Sequence, residues 1–164
     1  MNVRSSTAIA QRILRWLIVI GVFLLVGLGI KTVIDDITKP KMLVSLAGAT
    51  FQVDVAQTDD ELQKGLAGRS SLASDEAMLF EFPRDDTWGI WMKGMKFPID
   101  IIWLDSNKQV VYVKSNVQLD AEPYELYEPP VPARYVLEMA AGGVDKFKIK
   151  KGQIATIYSN KETD

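Results

Sequence analysis

Asp100 and Glu138 each interrupt an apolar run, in Ile99-Asp100-Ile101-Ile102-Trp103 and in Tyr135-Val136-Leu137-Glu138-Met139. A carboxylate in such surroundings is costly unless paired or hydrogen-bonded, and Arg69, Lys93 and Arg134 are the natural partners. Two carboxylates with cationic neighbours are the material of general acid–base catalysis. In a glycan hydrolase their separation would set the stereochemical outcome, about 5–5.5 Å for retention and about 6.5–9.5 Å for inversion. The same groups would serve a ligand pocket, or an internal ion-pair network that fixes strand register. Trp91 adds a surface suited to stacking on a sugar ring or a cation, whereas Trp103 is expected in the core.

The rest of the side-chain inventory is restrictive. The chain has no histidine and no cysteine. Ser-His-Asp chemistry, thiolate nucleophiles, iron–sulfur clusters and the commonest transition-metal sites are therefore excluded. Residues 116–133 are rich in acids, including Asp120, Glu122, Glu125 and Glu128, but lack the spacing of a calcium loop. Gly65-Leu66-Ala67-Gly68 lacks the spacing and the Lys-Ser/Thr ending of a phosphate loop. No metal and no cofactor is expected.

The positioning elements are mostly strands. Apolar residues alternate or run together over 42–46, 50–56, 78–82, 87–92, 99–104, 109–114, 134–140 and 153–158. Turn residues separate them, as in Pro83-Arg84-Asp85-Asp86, Ser106-Asn107-Lys108 and Gly142-Gly143. Thr58-Asp59-Asp60-Glu61 matches a capping box and predicts one short helix, ending near Gly65. About eight short strands at this spacing suggest a β-sandwich or barrel. In the strand over 99–104, Asp100 shares its face with Ile102 and Leu104, near the strand entrance. In that over 134–140, Arg134, Val136 and Glu138 share one face. Residues 116–133, with four prolines, read as a long loop.

Charge is unevenly distributed. Residues 1–34 carry Arg4, Arg12, Arg15 and Lys31 and no acid, a net +4, whereas residues 35–164 sum to −6. An acidic body argues against nucleic acid as a partner. The run from Trp16 to Ile34, nineteen residues broken chiefly by Lys31, would span roughly 28 Å as a helix, about one hydrocarbon core. Three arginines precede it, so residues 1–15 are expected in the cytoplasm and the body outside. No Ala-x-Ala-like site follows, which favours an uncleaved anchor over a signal peptide. The expected organisation is a cytoplasmic segment at 1–15, a transmembrane anchor at 16–34, a linker at 35–41, a β domain at 42–158 and a tail at 159–164.

Four motifs in order are Gly65-Leu66-Ala67-Gly68-Arg69, Ala77-Met78-Leu79-Phe80, Trp91-Met92-Lys93 with Pro98-Ile99-Asp100-Ile101-Ile102-Trp103, and Pro132-Ala133-Arg134-Tyr135-Val136-Leu137-Glu138. Over about residues 43–158 the chain resembles the DUF192 family, a family of unknown function. The resemblance implies a compact, mainly β domain of sandwich or jelly-roll-like form, often exported or membrane-tethered. It implies no activity.

Three functional readings follow. The first is a membrane-tethered extracytoplasmic binding or accessory module of the cell envelope. It would take a small-molecule or glycan ligand near Arg69, Trp91, Lys93, Asp100, Arg134 and Glu138. The second is an envelope-glycan hydrolase with Asp100 and Glu138 as its catalytic carboxylates. The third is a structural interaction domain. The binding module is the preferred reading, and no activity is named by the sequence itself.

Overall fold

A computed structural model describes residues 41–160. The expected cytoplasmic segment, anchor, most of the linker and the last residues of the tail lie outside the described residues. Among the described residues no helix is long and apolar enough to cross a membrane.

Strands β1 (Met42–Leu46) and β2 (Ala49–Ala56) form a hairpin over Ala47-Gly48. Both turn residues have positive φ, 54° and 78°, as the two-residue turn that matches strand twist requires. Helix α1 (Asp59–Lys64) follows, capped by Thr58, whose hydroxyl accepts from the Glu61 N–H while the Glu61 carboxylate accepts from the Thr58 N–H. These bonds hold the Glu61 carboxyl below its ordinary pKa. Then come β3 (Glu76–Asp86), β4 (Ile99–Leu104), β5 (Val110–Val117), β6 (Ala133–Ala140), a second short helix α2 (Gly143–Phe147) and β7 (Thr156–Ser159).

The strands form one seven-stranded sheet in the order β5-β4-β6-β3-β2-β1-β7. The β2–β3 pair alone is parallel, and α1 lies in its crossover. The fold is mainly β, as expected, but the sandwich or barrel is replaced by a single open sheet with two helices. Near one end the edges approach: the Val110 N–H donates to the Gln153 carbonyl and the Gly152 N–H to the Val110 carbonyl, both at 2.8 Å. This contact is an isolated bridge rather than a closing ladder. The strand expected at 87–92 is a loop, because Ile90 pairs only with Tyr127.

Both faces of the sheet are buried. On one, Val44, Leu46, Phe51, Leu79, Ile102 and Leu137 pack with Val144 and Ile149, and the Phe51 ring meets Phe147 edge-on at 5.2 Å. On the other, Phe80, Ile101, Trp103 and Val136 pack beneath Leu66, Ile90 and Met92. All six β4 residues are consequently buried, including Asp100, which is 0% exposed. Its Oδ1 accepts from the Asn116 N–H at 2.7 Å and its Oδ2 from the Val144 N–H at 2.8 Å. One carboxylate thus fixes the end of β5 and the start of α2 onto β4.

Replacing Asp100 with Ala is expected to cost about 2–5 kcal/mol, because two buried N–H donors lose their acceptor. Urea unfolding checks it, and a loss under about 1 kcal/mol would contradict the structural role.

Candidate functional site

Across the β4–β6 ladder Asp100 stands opposite Met139 and Ile101 opposite Glu138. Successive residues of a strand point to opposite faces, so the two carboxylates leave opposite sides of the sheet. A pair acting on one glycosidic bond must flank one cleft. The structure does not bring Asp100 and Glu138 together in that way. Nor is Asp100 at an accessible strand entrance; it is wholly enclosed.

Glu138 points to the face covered by two loops. One runs from the end of α1 through Gly65-Leu66-Ala67, the other through residues 89–95. The Gly68 N–H donates to the Gly94 carbonyl at 2.9 Å and ties them together. Gly65 ends α1 at φ 47°, and a Cβ there would lie 3.0 Å from the Phe80 ring. Only glycine lets this loop lie so close to β3. The second loop is anchored by the Trp103 indole N–H on the Trp88 carbonyl at 2.9 Å, and by Trp88 stacked on Phe82 at 4.3 Å. It pairs with Tyr127 through reciprocal backbone bonds between Ile90 and Tyr127.

Between the loops and the sheet lies a cavity of about 60 Å³. Its deep wall is Leu66, Phe80, Phe82 and Ile90, with Glu138 at the floor; Lys64, Trp91 and Lys93 stand at its mouth. Glu138 is 4% exposed. Among the described residues its carboxyl makes no ion pair and no side-chain hydrogen bond. Burial pushes it up to about 8, because the charged form is disfavoured away from water. Near neutral pH it is therefore largely a carboxylic acid, able both to donate and to accept. Trp91 is 40% exposed, and the Lys93 ammonium lies 5.3 Å from the centre of its ring.

Of the residues singled out from the sequence, the structure gathers Trp91, Lys93 and Glu138 around this cavity. The other three are elsewhere. Arg69 pairs with Asp54 at 2.7 Å, in a separate cleft beyond the first loop. Arg134 donates to the Pro83 carbonyl. Asp100 serves the opposite face. None of the expected basic partners reaches Glu138. Lys64 and the Phe80 and Phe82 walls were not singled out; a capping box announces α1 but says nothing of the strand its last turn overhangs. Among the described residues no cluster of three or more potential ligands could hold a metal ion.

Glu138 binds its proton more tightly folded than unfolded, so between about pH 4.5 and 8 the folded state holds the extra proton. Stability is then expected to fall as pH rises through that window. Glu138→Gln should abolish this slope and be the more stable form at pH 9, by about a few kcal/mol. Parallel urea titrations at pH 5, 7 and 9 check it, and equal slopes in the two proteins would contradict it.

The DUF192 family model, described as "Uncharacterized ACR", matches residues 42–157. A UPF0127 protein of Thermococcus kodakarensis is 28% identical over 55% of this chain and 55% of its own length. One of Thermococcus gammatolerans is 31% identical over 62% of this chain and 63% of its own. The chain thus spans about three-fifths of the length of these relatives. Among solved structures, a protein of unknown function from Novosphingobium aromaticivorans is similar at a TM-score of 0.64 and 27% identity, over 71% of this chain and 83% of that one. A Sinorhizobium meliloti protein, proposed in its name to be a transcription regulator, is similar at 0.66 and 24%, over 72% and 92%. At that identity the likeness concerns the fold alone. The match over residues 42–157, with the order of motifs from Gly65 to Glu138, establishes that the chain belongs to the DUF192 family.

Proposed function

We propose that this chain is a membrane-tethered, extracytoplasmic binding module of the cell envelope, with the Glu138 cavity as its ligand site. The reading is carried by one observation: Glu138, 4% exposed and with no partner for its carboxyl among the described residues, lines a cavity to which the more exposed Lys64, Trp91 and Lys93 also contribute. The carboxyl has no partner within the protein among the described residues and its oxygens border the cavity, so a ligand there can make hydrogen bonds that the fold does not supply. Structural networks satisfy their buried charges, as Asp100 does here, so Glu138 does not read as a support of the fold. Asp54 shares the face of Glu138 two strands away but is paired with Arg69 in a separate cleft. Among the residues lining the cavity Glu138 is the single acid, which suits binding better than hydrolysis. Tethering rests on the apolar run at 16–34 and the three arginines before it.

A small-molecule screen by thermal shift on the full chain in detergent tests the site. A true ligand at a hundredfold excess over its Kd is expected to stabilise by about 2.7 kcal/mol. Glu138→Gln and Trp91→Ala should each lose most of that shift. Shifts unchanged in both variants would remove the cavity as the site. For the topology, protease added outside intact cells should release the domain; protection while an outer control protein is cut would overturn the orientation.

A further inference from the structure

The cavity is electrically polarised along its depth. At the inner end lie the Glu138 carboxyl and the Phe80 and Phe82 rings, which are buried at 2% and 7% exposure. The carboxyl is the polar group of this otherwise apolar end, and its oxygens are acceptors, so this end suits a hydrogen-bond donor such as an ammonium. At the outer end stand Lys64 and Lys93, and neither ammonium is in an ion pair among the described residues. That end favours an anion. The volume limits what can span the two. At about 10–15 Å³ for each water-sized group, a cavity of about 60 Å³ takes a ligand with roughly four to six heavy atoms.

Resting on the reading of this cavity as a binding site, we propose that its ligand is a small zwitterion of the amino-acid type. Its ammonium lies inward against Glu138 and its carboxylate outward at Lys64 and Lys93. Each end supplies what the cavity lacks: hydrogen-bond donors for the unpartnered carboxyl, and a counter-charge for two lysines held at one mouth. A neutral sugar would leave the lysines unanswered and exceeds the space. A simple amine would bring a cation toward the lysines and leave them without a counter-ion, and a simple carboxylate would answer the lysines but bring no donor to the Glu138 carbonyl oxygen. Entry of an ammonium also draws the carboxyl toward its charged form. Since that group is largely protonated when the cavity is empty, binding near pH 7 releases a proton.

The test is calorimetric titration of the full chain at pH 7 with alanine, propylamine, propionate and glucose, in two buffers of different ionisation enthalpy. Alanine is expected to bind at least tenfold more tightly than the other three, with net proton release. Lys64→Ala/Lys93→Ala, altering exposed side chains only, should reduce alanine to the level of propylamine. Glu138→Gln should abolish the proton release. Glucose or propylamine binding as tightly as alanine, and lost in Glu138→Gln, would overturn the zwitterion while leaving the binding site intact. Binding of alanine unaffected by any of these substitutions would overturn both. So would the absence of binding by all four, together with a thermal-shift screen that finds no ligand dependent on Glu138.

Discussion

The β4–β6 ladder imposes the constraint on which the rest of this structure depends. Asp100 faces Met139 and Ile101 faces Glu138. The side-chain period of two then sends one carboxyl to each face of a sheet buried on both sides. The first meets two backbone N–H groups and becomes the clasp between β4, β5 and α2. The second finds no partner among the described residues and stays in an apolar wall. The two acids, so alike in sequence, thereby divide the molecule into a structural face and a face with a cavity.

The covering of the second face keeps that cavity open. Gly68 and Gly94 join the two loops by their backbones, and Ile90 pairs with Tyr127. Trp88 is held both by its ring stacking on Phe82 and by its carbonyl, which accepts from the Trp103 indole. These ties anchor the loops without filling the space beneath them. A carboxyl enclosed there is tolerable while it keeps its proton and costly once ionised. The site therefore carries a pH-dependent burden that a ligand's donor groups would relieve, a common relation between functional sites and stability.

Much of the fold was legible because its strands are buried or half-buried and their alternation is regular. The runs over 42–46 and 99–104 correspond to β1 and β4 to the residue. The capping box at Thr58 marked α1. What alternation cannot distinguish is a second sheet from a cover of loops and short helices, since either buries apolar residues on both faces. The sandwich therefore gave way to one open sheet. Trp88, Ile90 and Met92 alternate in sequence yet belong to a loop whose backbone pairs once, with Tyr127. Helix α2 was hidden because it begins after Gly142 at φ 90° and is fastened by a carboxylate on β4, far away in sequence. Of the site, Glu138 was conspicuous as an acid amid apolar neighbours, and Trp91 and Lys93 joined it. The error lay in supposing that every buried acid must be paired. Its pairing depends on which elements cover each face, a property of tertiary packing that no local pattern encodes.

The central claim is that Glu138 is an unpaired, buried carboxyl whose proton is held by exclusion from water. It is tested most directly by following its side-chain carboxyl carbon by nuclear magnetic resonance across a pH titration, with Glu138→Gln identifying the signal. A midpoint near 8, the value to which burial raises it, supports the account. A midpoint in the ordinary carboxylate range near 4.5 would show that Glu138 is solvated or paired, and the site as described would not exist.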